Sequence, residues 1–441
     1  PIIKASKGKN TLSFYSLPDY DKWKGKTITK GWRIKYYKGL GTSTPKEAKE
    51  YFKDMKMVTY QCEDNSNEMI DLAFNKKRSN DRKKWLQSYE HNNVLDYNDK
   101  SVTFSDFINK DLIHFSNSDN IRSLPNVFDG LKPSQRKIIF CSFKRNLTKN
   151  EIKVAQLSGY VSEHGAYHHG EASLQGTIVN LAQDFTGSNN INLLDPVGQF
   201  GTRLQGGKDS AQPRYIHTKL TTLTQLIFNK LDNPLYKYLD DDGLSVEPEY
   251  YIPILPMILI NGSQGIGTGW STDIPCFNPL DIIKNIRRKL SGSNFIDMKP
   301  WYRGFTGNIK TILENGKTKY ITKGIYKRLN DTTVEITELP IKMWTDKYKE
   351  LLETFIIDSK KSKTKQYINN YKTYCTDTKV LFVLKIPKLI LKNLMKLDKN
   401  SIPHFETVFK MRTKITISNM NMYDIDHKIH HFKNAGNSLI V

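Results

Sequence analysis

Apolar residues in the middle of the chain recur at the spacing of an amphipathic helix. Positions three or four residues apart lie on one helix face, and this spacing joins Leu174, Ile178, Leu181, Ala182 and Phe185. A second helix is predicted over residues 154–161, and the segment 163–170 between the two contains two glycines. Two helices joined by such a turn are compatible with a helix-turn-helix unit.

The first hundred residues predict a mixture of strands and helices. Residues 28–37 alternate between apolar and polar side chains, as strands do. A helix is expected to follow Thr44, which can cap it, with Glu47 completing a capping box. A basic helix is predicted over residues 73–89, followed by a polar connector over 90–100.

The chain becomes rich in strands after Pro253. Residues 252–260, 334–340 and 380–386 are apolar or alternating runs. No run of about 18 apolar residues is present, so no membrane span is predicted. A helical region followed by a strand-rich region indicates an α+β fold with more than one domain.

Size and charge narrow the class of protein. The 441 residues are enough for two or three domains, and the net charge is +22. Such a surplus of Lys and Arg favours a polyanionic partner, with nucleic acid ahead of an anionic membrane. A Lys-rich chain whose charges are simply solvated remains an alternative. The four cysteines are far apart in sequence, which indicates neither a zinc site nor a disulfide framework and fits a reducing compartment.

Two glycine-rich segments resemble nucleotide-binding loops without meeting their requirements. In residues 195–218, Thr202 and Asp209 stand where a P-loop needs a glycine and a hydroxyl. Residues 265–270 have G-x-G-x-G spacing, and no acidic residue of a βαβ unit follows. Both nucleotide sites are excluded. An exposed Ile266 at such a tip is suited to wedge between base pairs, with a hairpin core residue as the alternative.

Tyr215 directly follows Arg214 in a loop that contains several glycines and cations. A tyrosine hydroxyl needs a nearby cation or base to act as a nucleophile. A guanidinium can also stabilise charge on a phosphoryl group under attack. Because the chain has 23 tyrosines, the chemistry alone leaves an ordinary loop tyrosine as an open alternative.

Three further segments carry candidate charges. Residues 129–137 predict a turn that opens a basic helix, where either a phosphate or solvent can occupy the helix N-terminus. His168 and His169 have no cysteine or carboxylate at ligand spacing nearby, which favours phosphate contact or turn packing over a metal site. Residues 240–242 are three aspartates and are interpreted as an acidic loop.

Taken together, these segments resemble the type IIA DNA topoisomerases, especially their eukaryotic and viral members. The resemblance covers about residues 1–345 and is weak beyond them. It is carried by residues 35–43, 119–123, 135–137, 166–171, 213–216 and 253–270.

The resemblance implies a multidomain α+β fold in four parts. Residues 1–75 would be the C-terminal part of an α/β TOPRIM domain, and 76–114 a connector helix and linker. Residues 115–252 would form a helical winged-helix domain for DNA breakage and reunion, and 253–441 an α/β tower domain.

The resemblance also implies roles for individual residues. Tyr215 would attack a DNA phosphodiester to form a reversible 5′-phosphotyrosyl double-strand break, with Arg214 stabilising the transition state. Ile266 would intercalate and bend the duplex. The positions that would contact DNA or line the active site are Arg82, Lys83, Arg122, Lys132, Arg136, Tyr167, His168, His169 and Ser173.

Cofactors and partners follow from the same resemblance. The expected enzyme is an ATP-dependent homodimer that acts on double-stranded DNA with Mg²⁺, in the nucleus or, for a viral protein, in a cytoplasmic viral factory. The Mg²⁺ ligands and the ATP domain are expected upstream of Pro1, and a coiled coil and C-terminal gate beyond Val441. No metal ligand is therefore assigned to this chain, which is expected to bind DNA but to cleave it weakly or not at all alone.

Two other functions are weighed against this one. A non-catalytic DNA-binding remnant of such an enzyme would also lack metal ligands, an ATPase domain and a C-terminal gate. An RNA-binding protein would explain the charge, but the chain has no aromatic RNP-like motif.

Overall fold

The structure, a computed structural model, describes residues 1–37, 40–53, 55, 57–96, 100–241, 243–314, 316–356 and 366–438. They form two compact units, of which the first contains residues 1–121 and 267–270 and the second the rest of the described chain. Both units mix helices and strands, so the prediction of an α+β fold with more than one domain is confirmed. The finer division at residues 75, 114 and 252 stays a prediction. Within the described ranges, no helix has the length and apolar character needed to cross a bilayer.

The first unit is built on a small antiparallel sheet with the strand order β2-β1-β3, whose buried face includes Ile3 and Ala5. A short parallel pair joins β4 to β5, and a π-helical turn over Ile108–Leu112 connects α5 to α6. The elements are β1 (Ile3–Lys7), β2 (Asn10–Phe14), α1 (Leu17–Lys26), β3 (Arg33–Tyr36), α2 (Pro45–Lys53), β4 (Thr59–Gln61), α3 (Ser66–Phe74), α4 (Ser79–Gln87), β5 (Ser101–Thr103), α5 (Phe104–Phe107) and α6 (Ile113–Ser123).

Local capping signals account for two helix boundaries in this unit. The predicted capping box is confirmed, because Thr44 N donates to Glu47 Oε2 at 2.7 Å and Glu47 N donates to Thr44 Oγ1 at 3.3 Å. The single basic helix predicted over 73–89 is wrong, since α3 ends at Phe74 and α4 begins at Ser79. Asn75 breaks it by adopting an extended backbone and accepting a hydrogen bond from Lys77 N. The strand expected within 28–37 is confined to β3.

The second unit contains the helices that surround the tyrosine and a strand-rich region after them. Its elements are α7 (Pro133–Lys144), β6 (Ile152–Lys153), α8 (Val154–His164), α9 (Glu171–Ala182), β7 (His217–Thr218), α10 (Thr222–Ile227), β8 (Tyr238–Asp241), β9 (Leu244–Pro248), α11 (Met257–Asn261), β10 (Ser263–Ile266), β11 (Ser271–Ile274), α12 (Pro279–Leu290), β12 (Asn308–Glu314), β13 (Lys317–Lys323), β14 (Ile325–Asn330), β15 (Thr333–Glu338), α13 (Thr345–Thr354), β16 (Asn370–Thr373), β17 (Phe382–Lys385), α14 (Lys388–Leu394), α15 (His404–Val408), β18 (Arg412–Thr416), β19 (Met420–Tyr423), β20 (Ile429–Phe432) and α16 (Ala435–Ser438).

Two apolar cores hold this unit together. Helices α7, α8 and α9 contribute the fully buried Ile138, Leu157 and Leu174 to the larger core. The second core lies under the antiparallel sheet β14-β15-β17-β16, where Phe382 packs with Tyr348 of α13. A separate antiparallel sheet has the order β12-β13-β18.

The predicted elements of this unit are mostly confirmed, with two differences. The helices over 154–161 and from Leu174 are α8 and α9, but α9 ends at Ala182 because Gln183 turns to an extended backbone. The strands expected within 334–340 and 380–386 are β15 and β17. The apolar run 252–260 ends instead in a short helix, α11, whose first four residues are all buried. Such a run has no periodicity that separates a buried strand from a buried helix.

Candidate functional site

The loop that carries the candidate nucleophile, residues 198–216 (the tyrosine loop), is anchored by backbone hydrogen bonds on both sides of Tyr215. Ala155 N donates to Pro213 O at 3.1 Å, and Val154 N donates to Ile216 O at 3.0 Å. The side chain of Ile216 is buried. The first turn of α8 therefore fixes the backbone immediately before and after Tyr215.

Tyr215 itself faces solvent. Its side chain is 65% exposed, whereas the next residue, Ile216, is 2% exposed. The guanidinium carbon of the exposed Arg214 lies 4.8 Å from the centroid of the Tyr215 ring. This contact holds a permanent cation beside the phenol and leaves the guanidinium accessible to an approaching anion.

The glycines of the tyrosine loop are required by close packing. Gly206 has a φ of +64°, and a Cβ there would lie 2.2 Å from Cε2 of the Trp344 ring. Gly207 has a φ of +85°, and its Cβ would lie 2.3 Å from Nε2 of Gln183. The loop backbone thus approaches an indole on one side and an amide on the other more closely than any side chain permits.

Replacing Gly206 with alanine is expected to destabilise the protein by about 2–4 kcal/mol, from a left-handed backbone and a clash with Trp344. The matched control is Gly292→Ala, because Gly292 has a φ of +74° with nothing within 4 Å of a built Cβ. This control should lose only about 1 kcal/mol. Thermal or denaturant unfolding of the two variants measures the difference, and equal losses would refute the close packing of Gly206.

A basic cleft of about 420 Å³ in the second unit brings together most of the predicted DNA-contacting residues. The residues that line it on two sides belong to the start of α7 and to the turn between α8 and α9, and the end of β10 completes it. The predicted residues among them are Arg122, Lys132, Tyr167, His168, His169, Ser173 and Ile266. Of the described residues that line this cleft, Asp241 is the one acid. Neither Tyr215 nor Arg214 is among these lining residues.

The cations of the cleft are held in place by hydrogen bonds. Lys132 Nζ donates to Gln264 O at 2.6 Å, and burial lowers the pKa of this amine from its ordinary value. Lys137 Nζ donates to Gly165 O at 2.7 Å and to Glu247 Oε2 at 2.8 Å. These contacts tie the start of α7 to the neighbouring hairpin and to the turn that carries the histidines.

The two histidines of the cleft have different surroundings. His168 Nε2 lies 2.8 Å from Asp241 Oδ2, so one ring nitrogen is paired with a carboxylate. The His169 ring packs edge-on against Tyr167, with ring centroids 5.4 Å apart. Ser173 is exposed in the first turn of α9, whose N-cap residue, Gly170, provides no side-chain cap. The amides of that turn are suited to an anion.

Arg136 differs from the other predicted contacts because it is 6% exposed. Its Nε donates to Asp129 Oδ2 at 2.7 Å, and its Nη2 donates to Asp129 Oδ1 and Leu131 O, both at 3.0 Å. These donors hold the turn before α7, and the predicted role of Arg136 in contacting DNA or lining the active site stays a prediction. Arg136 therefore supports Lys132 from inside the protein.

Ile266 ends strand β10 and is 85% exposed. The hairpin is antiparallel, with Ile266 opposite Ser271. Gly265 lies so close to the end of α6 that a Cβ would be 1.9 Å from Ser123 O. The alternative of a hairpin core residue does not fit this exposure, and an apolar side chain is presented to solvent beside the basic cleft.

Arg82 and Lys83 lie on α4 of the first unit. Arg82 Nη1 donates to Leu72 O at 3.0 Å and to Asn75 O at 2.7 Å, so it caps the end of α3. Lys83 Nζ lies 4.6 Å from the centroid of the Trp270 ring. Their predicted contact with DNA stays a prediction.

Sequence reasoning missed three partners of the site. Lys137 and Asp241 line the basic cleft, and Arg203 in the tyrosine loop pairs with Glu338. Lys137 lies within residues 129–137, the predicted start of a basic helix, and its charge there was a usable signal. The pairs His168–Asp241 and Arg203–Glu338 join residues that are 73 and 135 positions apart, and no local sequence pattern marks them.

Family models match nearly the whole chain. The family of the A subunits of DNA gyrase and topoisomerase IV matches residues 122–438, and the "C-terminal associated domain of TOPRIM" matches residues 1–120. The two matches meet where the two units of the structure divide, between residues 121 and 122.

Similar proteins and one similar structure point the same way. DNA topoisomerase 2 of Plasmodium falciparum is 47% identical over 98% of this chain and 30% of its own length. DNA topoisomerase 2-alpha of Homo sapiens is 48% identical over 96% of this chain and 28% of its own length. The crystal structure of the DNA-binding, cleavage and re-ligation domain of Plasmodium falciparum topoisomerase II superposes with a TM-score of 0.82 and 46% identity, covering all of this chain and 59% of that one. The chain thus spans less than a third of the length of these curated relatives.

Proposed function

Because the chain belongs to the type IIA DNA topoisomerases, we propose that it binds double-stranded DNA and breaks it with Tyr215 as the nucleophile. The observation that carries this proposal is an exposed tyrosine beside an exposed arginine, on a loop whose backbone is fixed on both sides of the tyrosine. A nucleophile of this kind needs access to a large substrate and a rigid support.

The proposed reaction is a transesterification. Tyr215 Oη attacks phosphorus and loses its proton, the P–O3′ bond breaks, and the 3′ oxygen leaves as a hydroxyl after gaining a proton. The 5′ phosphate is then esterified to the tyrosine, so one phosphodiester replaces another. Attack by the 3′ hydroxyl on this ester restores the DNA. Arg214 stabilises the added negative charge on the phosphoryl oxygens.

The basic cleft is the proposed contact surface for the DNA backbone. Among the described residues, Asp241 of the cleft pairs with His168 and Glu247 pairs with Lys137, and the other cations of the cleft are Arg122 and Lys132. The net charge of +22 supports the same polyanionic partner. In this proposal the basic cleft binds the DNA backbone, and the tyrosine loop carries out the cleavage reaction.

The described residues do not fit a Mg²⁺ site. Within the described parts of the chain, no three His, Cys, Asp or Glu side chains are grouped to hold a metal ion. The family uses Mg²⁺ and ATP, and for this protein both belong to the proposal for the full-length polypeptide. Cleavage by the chain alone is expected to be weak, and no step above depends on a metal held by these residues.

A homodimer is proposed from an exposed apolar surface. Leu223 and Leu226 on α10 are 52% and 62% exposed, and Leu231 and Leu235 on the following 3-10 turn are 82% and 81% exposed. Ile254, 60% exposed, is joined to the end of α10 by a backbone hydrogen bond to Ile227. A surface of this kind suits a self-complementary contact with a second copy.

For the place where the protein acts, we propose the nucleus and not a viral factory, because the similar proteins are DNA topoisomerases 2 of eukaryotes.

The proposed function is tested by a covalent-complex assay. The full-length polypeptide that contains this chain is incubated with duplex DNA and Mg²⁺, denatured, and probed for DNA attached to protein. Adduct on Tyr215 is expected. Tight DNA binding without adduct would contradict the proposed cleavage and would favour the alternative function, a non-catalytic DNA-binding remnant of a topoisomerase.

Ile266→Ala is expected to weaken bending and cleavage of intact duplex by about 30-fold. The change removes about 2 kcal/mol of apolar contact with an opened base step. Leu290→Ala is the matched control, because Leu290 is 83% exposed and Ile266 is 85% exposed. Energy transfer between dyes at the two ends of a duplex measures DNA bending. Unchanged bending by the Ile266→Ala variant would contradict the proposal that Ile266 wedges between base pairs.

A further inference from the structure

The tyrosine loop contains a closed inner loop that needs support from outside. Thr202 N and Oγ1 donate to the carboxylate of Asp209 at 2.9 and 2.5 Å, which closes residues 202–209 on themselves. At the base of this inner loop, Ala211 N donates to Gln199 O at 2.8 Å, four residues before Tyr215. These internal hydrogen bonds define the shape of the inner loop, and its orientation is set by the neighbours that contact it.

One side of the inner loop is held by Gln183, which directly follows α9, and the other by residues 338–346, which we call the clamp segment. Gln183 Nε2 donates to Phe200 O at 2.9 Å and to Gly207 O at 3.2 Å. On the opposite side the Trp344 ring covers Gly206. The loop is thus enclosed between an amide and an indole that lie far apart in sequence.

Backbone hydrogen bonds extend the contact with the clamp segment. Thr345 N donates to Arg203 O at 3.3 Å, and Asp346 N donates to Leu204 O at 3.0 Å. The side chain of Gln205 donates to Asp346 Oδ2 at 3.1 Å. Three consecutive residues of the inner loop are therefore bound to the start of α13.

A buried ion pair lies at the centre of this contact. Arg203 Nη2 donates to Glu338 Oε1 at 2.5 Å, and the two side chains are 8% and 3% exposed. Glu338 Oε2 also accepts from Thr306 Oγ1 at 2.9 Å, and Oε1 accepts from Leu339 N at 2.9 Å. A buried ion pair is a weak source of stability, because desolvation offsets the attraction, but it restricts the geometry of the groups it joins.

We propose that the Arg203–Glu338 ion pair is a positioning device for Tyr215, joining the end of β15 to the loop that presents this residue. The pair fixes the orientation of the inner loop, and the inner loop fixes the backbone leading to Tyr215 through its base. This inference rests on the proposed role of Tyr215 as the nucleophile. Arg203 and Glu338 do not touch the reacting atoms.

The test separates positioning from stability by removing both charges at once. In the full-length protein, Arg203→Met with Glu338→Gln removes both charges and keeps an amide oxygen that can accept from Leu339 N, so the melting temperature should stay close to that of the wild type. DNA affinity should be unchanged, and the single-turnover cleavage rate at saturating DNA should fall by about 10- to 100-fold. A purely structural pair would give normal cleavage once stability is retained.

The matched control is Lys323→Met with Glu406→Gln. Glu406 is also 3% exposed in its side chain, pairs with Lys323, and accepts from a hydroxyl, that of Tyr326. These contacts lie outside the tyrosine loop, so the loss of this pair should leave cleavage unchanged. Wild-type cleavage in the Arg203/Glu338 variant, or an equal loss in both variants, would overturn the inference.

Cleavage by the Arg203→Lys variant and adduct formation by the wild-type protein are also measured, so that misfolding of the double variant does not leave the inference untested. Arg203→Lys retains the charge at this position but not the guanidinium fork, and it should cleave at a rate between those of the wild type and the double variant. If the double variant does not fold, wild-type cleavage by Arg203→Lys overturns the inference. If the wild-type protein forms no adduct at all, the proposed function has failed before any variant is compared.

Discussion

Replacing Tyr215 with phenylalanine is expected to abolish the covalent protein–DNA adduct while leaving DNA binding intact. The change removes only the hydroxyl of a side chain that is 65% exposed and whose neighbours hold it through the backbone. Loss of a nucleophile in enzymes with covalent intermediates costs on the order of 10⁶ in kcat. The adduct should therefore fall below detection in a denaturing gel, and a filter-binding isotherm should not shift.

The control for Tyr215→Phe is Tyr374→Phe. Tyr374 is also exposed, at 54%, and lies outside the tyrosine loop, so its loss should leave adduct formation unchanged. Adduct that persists in Tyr215→Phe would assign the chemistry to another residue. Adduct lost from both variants would indicate damage to the protein and not the removal of a nucleophile.

Features that depend on a few neighbouring residues were predictable from the sequence. The capping box depends only on Thr44 and on Glu47, three positions later, and the structure contains both of its hydrogen bonds. Helix α9 was predicted because its buried face repeats at helical spacing. The break at Asn75 was missed because it depends on one side chain competing with the helix for a backbone amide.

The candidate site was predictable in its residue types but not in its contacts. Arg136 belongs to a predicted basic helix, and the family resemblance placed it among the positions that would contact DNA or line the active site. Its burial is set by Asp129, seven residues earlier, which accepts two of its hydrogen bonds. The sign of a charge is visible in a sequence, whereas the partner that satisfies it depends on the fold.

Contacts between distant segments were beyond any local pattern. Glu338 was visible only as one residue of a predicted strand, and Arg203 only as one cation of a glycine-containing loop. Their ion pair joins positions 135 residues apart. Gly206 and Gly207 were visible as glycines of the tyrosine loop, but their close neighbours in the structure, Trp344 and Gln183, were not. A glycine in a sequence indicates that a neighbouring group can lie close to the backbone, but it does not show which group that is.

Arg214→Lys is expected to slow cleavage by about 10²–10³-fold, which is the effect of losing one group that stabilises transition-state charge. Lysine keeps the positive charge but loses the planar fork that binds two phosphoryl oxygens at once. The guanidinium also packs on the Tyr215 ring at 4.8 Å, and a lysine stem cannot reproduce that stacked contact. DNA affinity should change much less, because one cation in a surface of many is retained.

The measurement is the single-turnover cleavage rate at saturating DNA, compared with Arg287→Lys. Arg287 is an exposed arginine on α12, so this control makes the same chemical change on a surface outside the tyrosine loop. A parallel loss of affinity and rate in Arg214→Lys would mean that Arg214 serves binding throughout the reaction. A fall in rate with affinity retained places its contribution in the transition state, because only an interaction that strengthens there changes the chemical step alone.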